Sequence, residues 1–505
     1  MMRTLPTLLA LFGLPIVAAG VPVTSNSTIT VSSTVEVPGP SPALFANPFY
    51  TCVQNYYVSP TGNDANRGTQ SAPWATLQHA DAAAGGRVAG DCVNVAPGTY
   101  AAGVMLRHGG NLASATGYVA YRCQRLDRCK ITSTGGNGAP TFTINTAGGP
   151  NYIVIDGFEM AASSPVVYGN GVFINNNGTG EPTGTLSVHH IWIINNVIHG
   201  YGESGIGTNE ADWIFALHNL VYNNAMVTCD AQGSGIGLVV AKVVANYLPT
   251  TQDQRWAPFH QVVAWNVARD NIITRCGSAS SAYDTDGNGI IVDTFNGNGV
   301  DNVSYPDQTL VANNVVYSNG GKGIQIYRSS HVTVANNTAY NNNLDPWNRG
   351  YPRGEINLAG GTNNQFLSNI AYAIPAASIA DPRCQGATYN PSPAPCPLMA
   401  NVALMGADGA GVTDIGNLWS NNITFGGNPP WGWGPRGNVL LGNDAAAFSC
   451  TSNKCNANPL LTNAEAGNFS LQSNSPAIAY GLSERYLSPQ SVDAGVCYHT
   501  LTQCP

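Results

Sequence analysis

Charge is scarce in this chain. Of its 505 residues, 20 are Lys or Arg and 28 are Asp or Glu, a formal net charge of −8. The basic residues do not cluster, so there is no electrostatic footprint for a nucleic acid. Few charges beside 57 glycines argue against a helical enzyme or a disordered chain, and they suit stacked turns. No GxSxG, P-loop, HExxH or dinucleotide pattern occurs, which leaves acyl transfer, nucleotide chemistry and zinc proteolysis without support. No stretch reaches the roughly 18 apolar residues of a membrane span. Arg3, an apolar stretch over 8–17 and Ala18-Ala19-Gly20 read as a secretory signal, residues 1–20. The 12 cysteines contain no CxxC. Their even number and the close pairs Cys123/Cys129, Cys450/Cys455 and Cys497/Cys504 favour disulfides in an oxidising compartment over metal ligation.

What the chain does have is repetition. Residues 309–343 read TLVANNVVYSNGGKGIQIYRSSHVTVANNTAYNNN, so Asn313-Asn314 recurs as Asn336-Asn337, 23 positions on (336 − 313). A fixed period in this range marks an architecture whose units bury their apolar faces only against each other. The apolar residues alternate with a period of two, and Val, Ile and Thr dominate, so the units are strands. One such unit is a coil of a right-handed, single-stranded parallel β-helix, an all-β solenoid. Equivalent residues of successive coils then lie about 4.8 Å apart. Asn tolerates the left-handed backbone of a sharp bend, and its amide can bond the Asn above and below. Asn195-Asn196, Asn219, Asn223-Asn224, Asn271, Asn369 and Asn421-Asn422 are further candidates for such a ladder.

Residues 21–48, rich in Ser, Thr, Val and Pro, read as a linker or arm. The β-helix domain is placed at 49–481 and a cysteine-containing tail at 482–505. A helix over 74–84 is expected to cap the open end of the first coil. Coils are expected from about Asn151 to Phe425, with 225–262 and 343–355 as insertions and 372–415 as a long loop. Six sequons, at Asn26, Asn177, Asn302, Asn336, Asn422 and Asn468, matter only in a eukaryotic host, and Asn336 suits a glycan poorly if it sits in the ladder.

The opening NYYVSPTGNDANRGTQSAPWATLQHA with VNVAPGTY, the core DGNGIIVD, NNVVYSNGGKGIQIY and NNTAYNN, and the ending NPLLTNAEAGNFSLQSNSPAIAYG resemble the secreted right-handed β-helix proteins that include the family-nine pectate lyases. The resemblance covers most of 55–481. It implies an exported enzyme on acidic polysaccharides, and the same group holds epimerases and hydrolases. One departure stands out. The family carries adjacent aspartates, in a stretch like NSDDG, to hold calcium. This chain has Asn319-Gly320-Gly321-Lys322-Gly323 there, so that calcium site is not carried over.

Aligning coils on inward Ile290/Val292, Ile324/Ile326 and Ile356/Leu358 sends Ile291, Asp293, Gln325, Tyr327, Glu355 and Asn357 outward on one face. The same register lays Asn288 over Lys322, near Arg353. Asp284, Asp286, Asp293, Lys322, Tyr327, Arg328, Arg353 and Glu355 then fall within three coils, about 10–15 Å along the axis. In β-elimination, Lys322 or Arg328 would take the C5 proton of a uronic acid, given a neighbouring cation. Tyr327 would pass a proton to the leaving oxygen, and a cation would neutralise the carboxylate. Ca2+ held by Asp284, Asp286 and Asp293 is one such cation. Arg353, Gln325, Asn357, Trp347 and Tyr351 would bind the sugar, with Trp256 as a further wall. In hydrolysis, Asp286, Asp293 and Glu355 supply the paired carboxylates. Glu203 occupies a similar coil position. The adjacent His189 and His190 should face opposite sides of a strand and so make no metal pair. The reading is a secreted, monomeric polysaccharide lyase on an extended acidic glycan. A glycoside hydrolase and a non-catalytic glycan binder are the alternatives.

Overall fold

The computed structural model describes residues 50–126, 128–133, 140–162, 169–176, 187–226, 233–244, 246–273, 286–297, 304–345, 353–375, 399–405, 414–427, 439–441, 447–482 and 493–495. The expected signal and arm, the third cysteine pair, Asp284, Trp347 and Tyr351 lie outside the described residues. Among the described residues, three long sheets hold nearly all the strands. Sheet 1 has 11 strands, from Gln54–Val58 to Leu418–Ser420. Sheet 2 has 11, from Gly98–Ala101 to Lys454–Cys455. Sheet 3 has 10, from Val104–Met105 to Val439–Leu441. The chain visits them in turn. Gln308–Ala312, Val315–Tyr317 and Ile324–Tyr327 make one coil; Val332–Ala335, Thr338–Tyr340 and Arg353–Ala359 make the next, each strand parallel to its predecessor. This is a right-handed parallel β-helix, the hand that parallel crossovers in a twisted sheet prefer.

The inward register is the one the alternation predicts. Ile290 pairs with Ile324 and Ile324 with Ile356; Val292 pairs with Ile326 and Ile326 with Leu358. All six are buried. Each such side chain contributes roughly 1.5–3 kcal/mol on leaving water, and stacking like on like lets every coil present the same shape to the next.

The turn from sheet 1 to sheet 2 is two residues long and divides its work. The first residue takes a left-handed backbone: Asn195, His218, Trp265, Asn313, Asn336, Ser368 and Asn421 have φ of 56–58°. The second is an inward Asn. Asn196, Asn219, Asn266, Asn314, Asn337, Asn369, Asn422 and Asn453 form one continuous row, each Nδ2 donating to the Oδ1 of the next at 2.8–3.1 Å. Asn337 shows the other two bonds of the pattern: its Oδ1 also accepts from Asn314 N at 2.9 Å, and its Nδ2 also donates to Val311 O at 2.9 Å. The turn from sheet 2 to sheet 3 carries a second row, Asn224, Asn271, Asn319 and Asn342. Buried backbone groups at the corners are thereby satisfied without water. Asn266 and Asn453 went unnoticed in the sequence because long connections space their coils unevenly, whereas Asn319 and Asn342 recur 23 positions apart and were readable from the same repeat.

Several expected boundaries move. Coils begin near Asp91 and run to Lys454–Cys455, beyond 151–425 on both sides. Ile236–Val239, inside the supposed insertion 225–262, is a sheet 3 strand paired with both neighbours. Met399–Met405, inside the supposed loop 372–415, is another. The helix is Leu77–Ala82, shorter than expected. Thr76, not the 69–73 segment, caps it, its Oγ1 accepting from His79 N at 3.1 Å. The disulfides Cys123–Cys129 and Cys450–Cys455 form as paired by proximity, and Cys52–Cys92 joins them. Asn336 is buried in a bond to Asn313, as its place in a ladder requires.

His218 gives the fold a pH dependence. Its ring lies buried on Trp265, with centroids 5.1 Å apart, and burial lowers its pKa to about 3. The unfolded chain protonates this imidazole below about pH 6.5, while the folded chain does not. Stability is therefore fully present above that pH and falls as the solution is acidified toward 3, by up to about 1.4 kcal/mol per pH unit for this residue. Denaturant midpoints of His218→Phe should fall less steeply between pH 6.5 and 4 than those of the parent. Parallel slopes would contradict this.

Candidate functional site

The outer faces of the three sheets differ. On sheet 1, Trp192 and Phe215 stack at 4.0 Å and lie under Tyr247 and Trp256 of the 246–258 segment. Trp256, expected as a groove wall, packs here against Trp192, Phe215 and Trp265 and is part of the apolar covering. On sheet 2, the C-terminal hairpin Leu461–Asn463/Asn468–Leu471 folds back so that Phe469 meets Tyr317 and Tyr340, and Leu471 meets Ile370 and Ile423. Sheet 3 instead presents polar rows. In sequence, its strands are also flanked by the chain's longest connections, whereas the turn from sheet 1 to sheet 2 never exceeds two residues from the strand Val188–Ile194 to Leu418–Ser420.

The first polar row runs two residues ahead of the inward position: Asn170, Ser204, Ser234, Asn288 and Lys322. Asn170 Oδ1 accepts from Ser204 N at 3.0 Å and Ser204 Oγ from Ser234 N at 3.1 Å. Asn288 Nδ2 donates to Ser234 Oγ at 3.3 Å and to Gln325 Oε1 at 3.1 Å, and its Oδ1 accepts from Lys322 N at 2.8 Å. Asn288 does lie over Lys322. Glu203 joins the row through Asn170 Nδ2; burial raises its carboxyl pKa against that bond. A second row is Ile291, Gln325 and Asn357, in register. A third, at the strand ends, is Asn145, Asn175, Asn209, Val239, Asp293 and Tyr327. Burial raises the Asp293 pKa, against a bond from Thr294 Oγ1 and the charge of Arg328. The Arg328 guanidinium sits 5.1 Å from the Tyr327 ring centroid.

Other expected members do not belong to this face. Glu355 turns inward and is 1% exposed. Its carboxylate accepts from Asn342 N at 3.0 Å and from Asn342 Nδ2. Tyr340 pairs with Tyr372, so Ile374 stands where the next ladder Asn would be, and Glu355 supplies the missing acceptor. It completes the second ladder rather than a pair of outward carboxylates. Asn357 keeps its place in the second row but is fully buried, with Nδ2 on Ala403 O at 3.3 Å, and Asn288, Lys322 and Gln325 are buried beside it. Asp286 precedes the strand Ile290–Asp293 and Asp293 ends it. That strand spans about 10 Å, which two short carboxylates do not bridge, so the described members of the calcium set do not converge on one ion. Arg353 opens its sheet 3 strand beside Met399.

The histidine pair also departs from expectation. His190 has φ 58°, and the two rings come together with Nδ1 atoms 2.6 Å apart. His190 stacks between Tyr152 and Trp213 and reaches Asp253 Oδ1 at 3.3 Å. One left-handed residue cancels the alternation that would have separated them. Among the described residues, the cluster with ligand-like convergence is Asp212, His260 and Asp307, whose atoms lie within 4.8 Å of one another. Sequence reasoning missed it because these three residues meet only through coil stacking, with no local motif to mark them.

Against known proteins, no family model matches the sequence, and no curated protein matches it. Solved structures do. Pectate lyase Pel9A is 14% identical, over 89% of this chain and 97% of its own, with a TM-score of 0.43. The A-module of the Azotobacter vinelandii mannuronan C-5 epimerase AlgE4 is 13% identical, over 73% and 84%, at 0.37. A lacto-N-biosidase from Eubacterium ramulus is 11% identical, over 74% and 64%, at 0.41. What they share with this chain is the parallel β-helix. No activity follows from likeness at this level.

Proposed function

We propose that the chain binds an extended, uronic-acid-containing polysaccharide along the outer face of sheet 3 and cleaves it by β-elimination. The observation that carries this reading is the register of that face, which brings Asn288 beside Lys322 and Asp293 beside Tyr327 on adjacent strands. Ten strands at about 4.8 Å give a face of about 40 Å, long enough for several sugar rings. A ring over Gln325 lies between Lys322, two residues before the strand Ile324–Tyr327, and Tyr327 with Arg328 at its far end, about 16 Å of extended chain that the long side chains reach across from both sides.

In this reading the Lys322 amine takes the C5 proton, the C4–O bond breaks, a C4=C5 double bond forms, and Tyr327 protonates the departing oxygen. Arg328 faces the uronate carboxylate and offsets the charge that builds on it. No step is routed through calcium, because Asp286 and Asp293 stand apart. Incubation with polygalacturonate or alginate should give ultraviolet absorbance from the new double bond, in step with new reducing ends. Reducing ends without absorbance would make the chain a hydrolase. Retardation on a substrate gel with neither signal would make it a binder.

A further inference from the structure

Asp212, His260 and Asp307 play no part in that elimination. Asp212 lies in Ala211–Leu217, His260 in Phe259–Ala264, and Asp307 just ahead of Gln308–Ala312, three successive strands of sheet 1. His260 Nδ1 is 3.4 Å from Asp212 Oδ1 and 3.3 Å from Asp307 Oδ2. It is buried, and at these distances it makes no well-formed hydrogen bond to either, although, against burial, the imidazole helps hold the Asp212 carboxyl below its usual pKa. The nitrogen sits midway between the two carboxylates, at the corner of a triangle. Tetrahedral Zn2+ with bonds of about 2.0–2.1 Å has ligand–ligand edges of about 3.3–3.4 Å, which is the spacing of both carboxylates from the imidazole.

The surroundings are those of a held ligand set. Tyr305 OH donates to Asp212 Oδ1 at 2.6 Å, and Val244 N donates to Asp212 Oδ2 at 2.9 Å, which fixes the carboxylate as outer partners of metal ligands do. The His260 ring is stacked on Trp213 at 3.7 Å. Gln261 is 1% exposed; its Nε2 is on Ala211 O, next to Asp212, while its Oε1 has no partner. His260 and Asp307 keep 17% and 29% of their side-chain surface, a way in from solvent.

We propose that Asp212, His260 and Asp307 bind one zinc ion, which clasps three successive coils together near the starts of the middle strands of sheet 1. One imidazole with two carboxylates suits zinc; calcium prefers an all-oxygen shell. The inference does not rest on the polysaccharide reading, and its test uses no substrate. The purified full-length protein is stripped with a chelator, dialysed separately against Zn2+ and Ca2+, and analysed for bound metal and thermal midpoint. One retained zinc per chain and a raised midpoint are expected, both lost in His260→Ala and Asp307→Asn. Tyr305→Phe, which keeps the ligands and the packing, should weaken zinc binding about 10–100-fold and covers the case in which His260→Ala fails to fold. Zinc retained equally by Asp307→Asn and Tyr305→Phe, calcium retained in its place, or no metal retained would each overturn the assignment.

Discussion

Lys322→Ala should lower the rate of uronate cleavage about 10²–10⁴-fold, the usual contribution of a positioned general base. The effect should fall on turnover, since Gln325, Tyr327 and Arg328 remain to hold the substrate. Lys322 is 2% exposed, so the variant must be compared with the parent by thermal midpoint as well as by rate. Lys322→Arg separates charge from basicity: it keeps the cation but not a group able to release its proton near neutrality. It should bind substrate and remain slow. Undiminished absorbance from Lys322→Ala would remove the residue from the reaction.

The largest effect on stability should come from the middle of the first ladder. Asn337 is fully buried. It accepts from Asn314 N and Nδ2 at 2.9 Å, and donates to Val311 O at 2.9 Å and Asn369 Oδ1 at 3.0 Å. Asn337→Ala leaves at least two donors unpaired in a dry corner. At about 1–3 kcal/mol each, the loss should be about 2–6 kcal/mol. Asn175→Ala on the half-buried outer row, where Asn209 Nδ2 meets Asn175 Oδ1 at 3.1 Å, should cost about 1 kcal/mol or less. Equal shifts in denaturant midpoint for the two variants would show that the inner row is no more than one set of turns among many.

The fold was legible because two signals repeat. Alternation named the inward residues Ile290, Ile324 and Ile356, and the doubled Asn marked the bends. Both are local, so they survive in one sequence. What stayed hidden depends on contacts across coils. Glu355 looked like an outward acid because its strand alternates, yet Ile374 of the following coil withholds an acceptor and draws it inward. Asp286 and Asp293 looked like neighbours because seven positions seemed a short distance (293 − 286), but a strand lies between them. Asp212, His260 and Asp307 could not be found at all without knowing how many residues each intervening coil inserts. His189 and His190 failed for a smaller reason, one left-handed residue that no propensity for His foretells.

The amides of the ladders all point one way. From Asn196 to Asn422, one N–H of each side-chain amide is directed at the Asn of the following coil and the other at a backbone carbonyl of the preceding coil, while from Asn219 to Asn453 every side-chain oxygen accepts from the preceding Asn. A file of aligned dipoles behaves as the peptide units of a helix do, positive at the donor end, and the Glu355 carboxylate stands at that end of the second file. The solenoid is therefore polar along its axis at the two corners that carry these files. An engineer who extends it must append each new level with an acceptor facing backward, and a level grafted in reverse order would set like poles against each other.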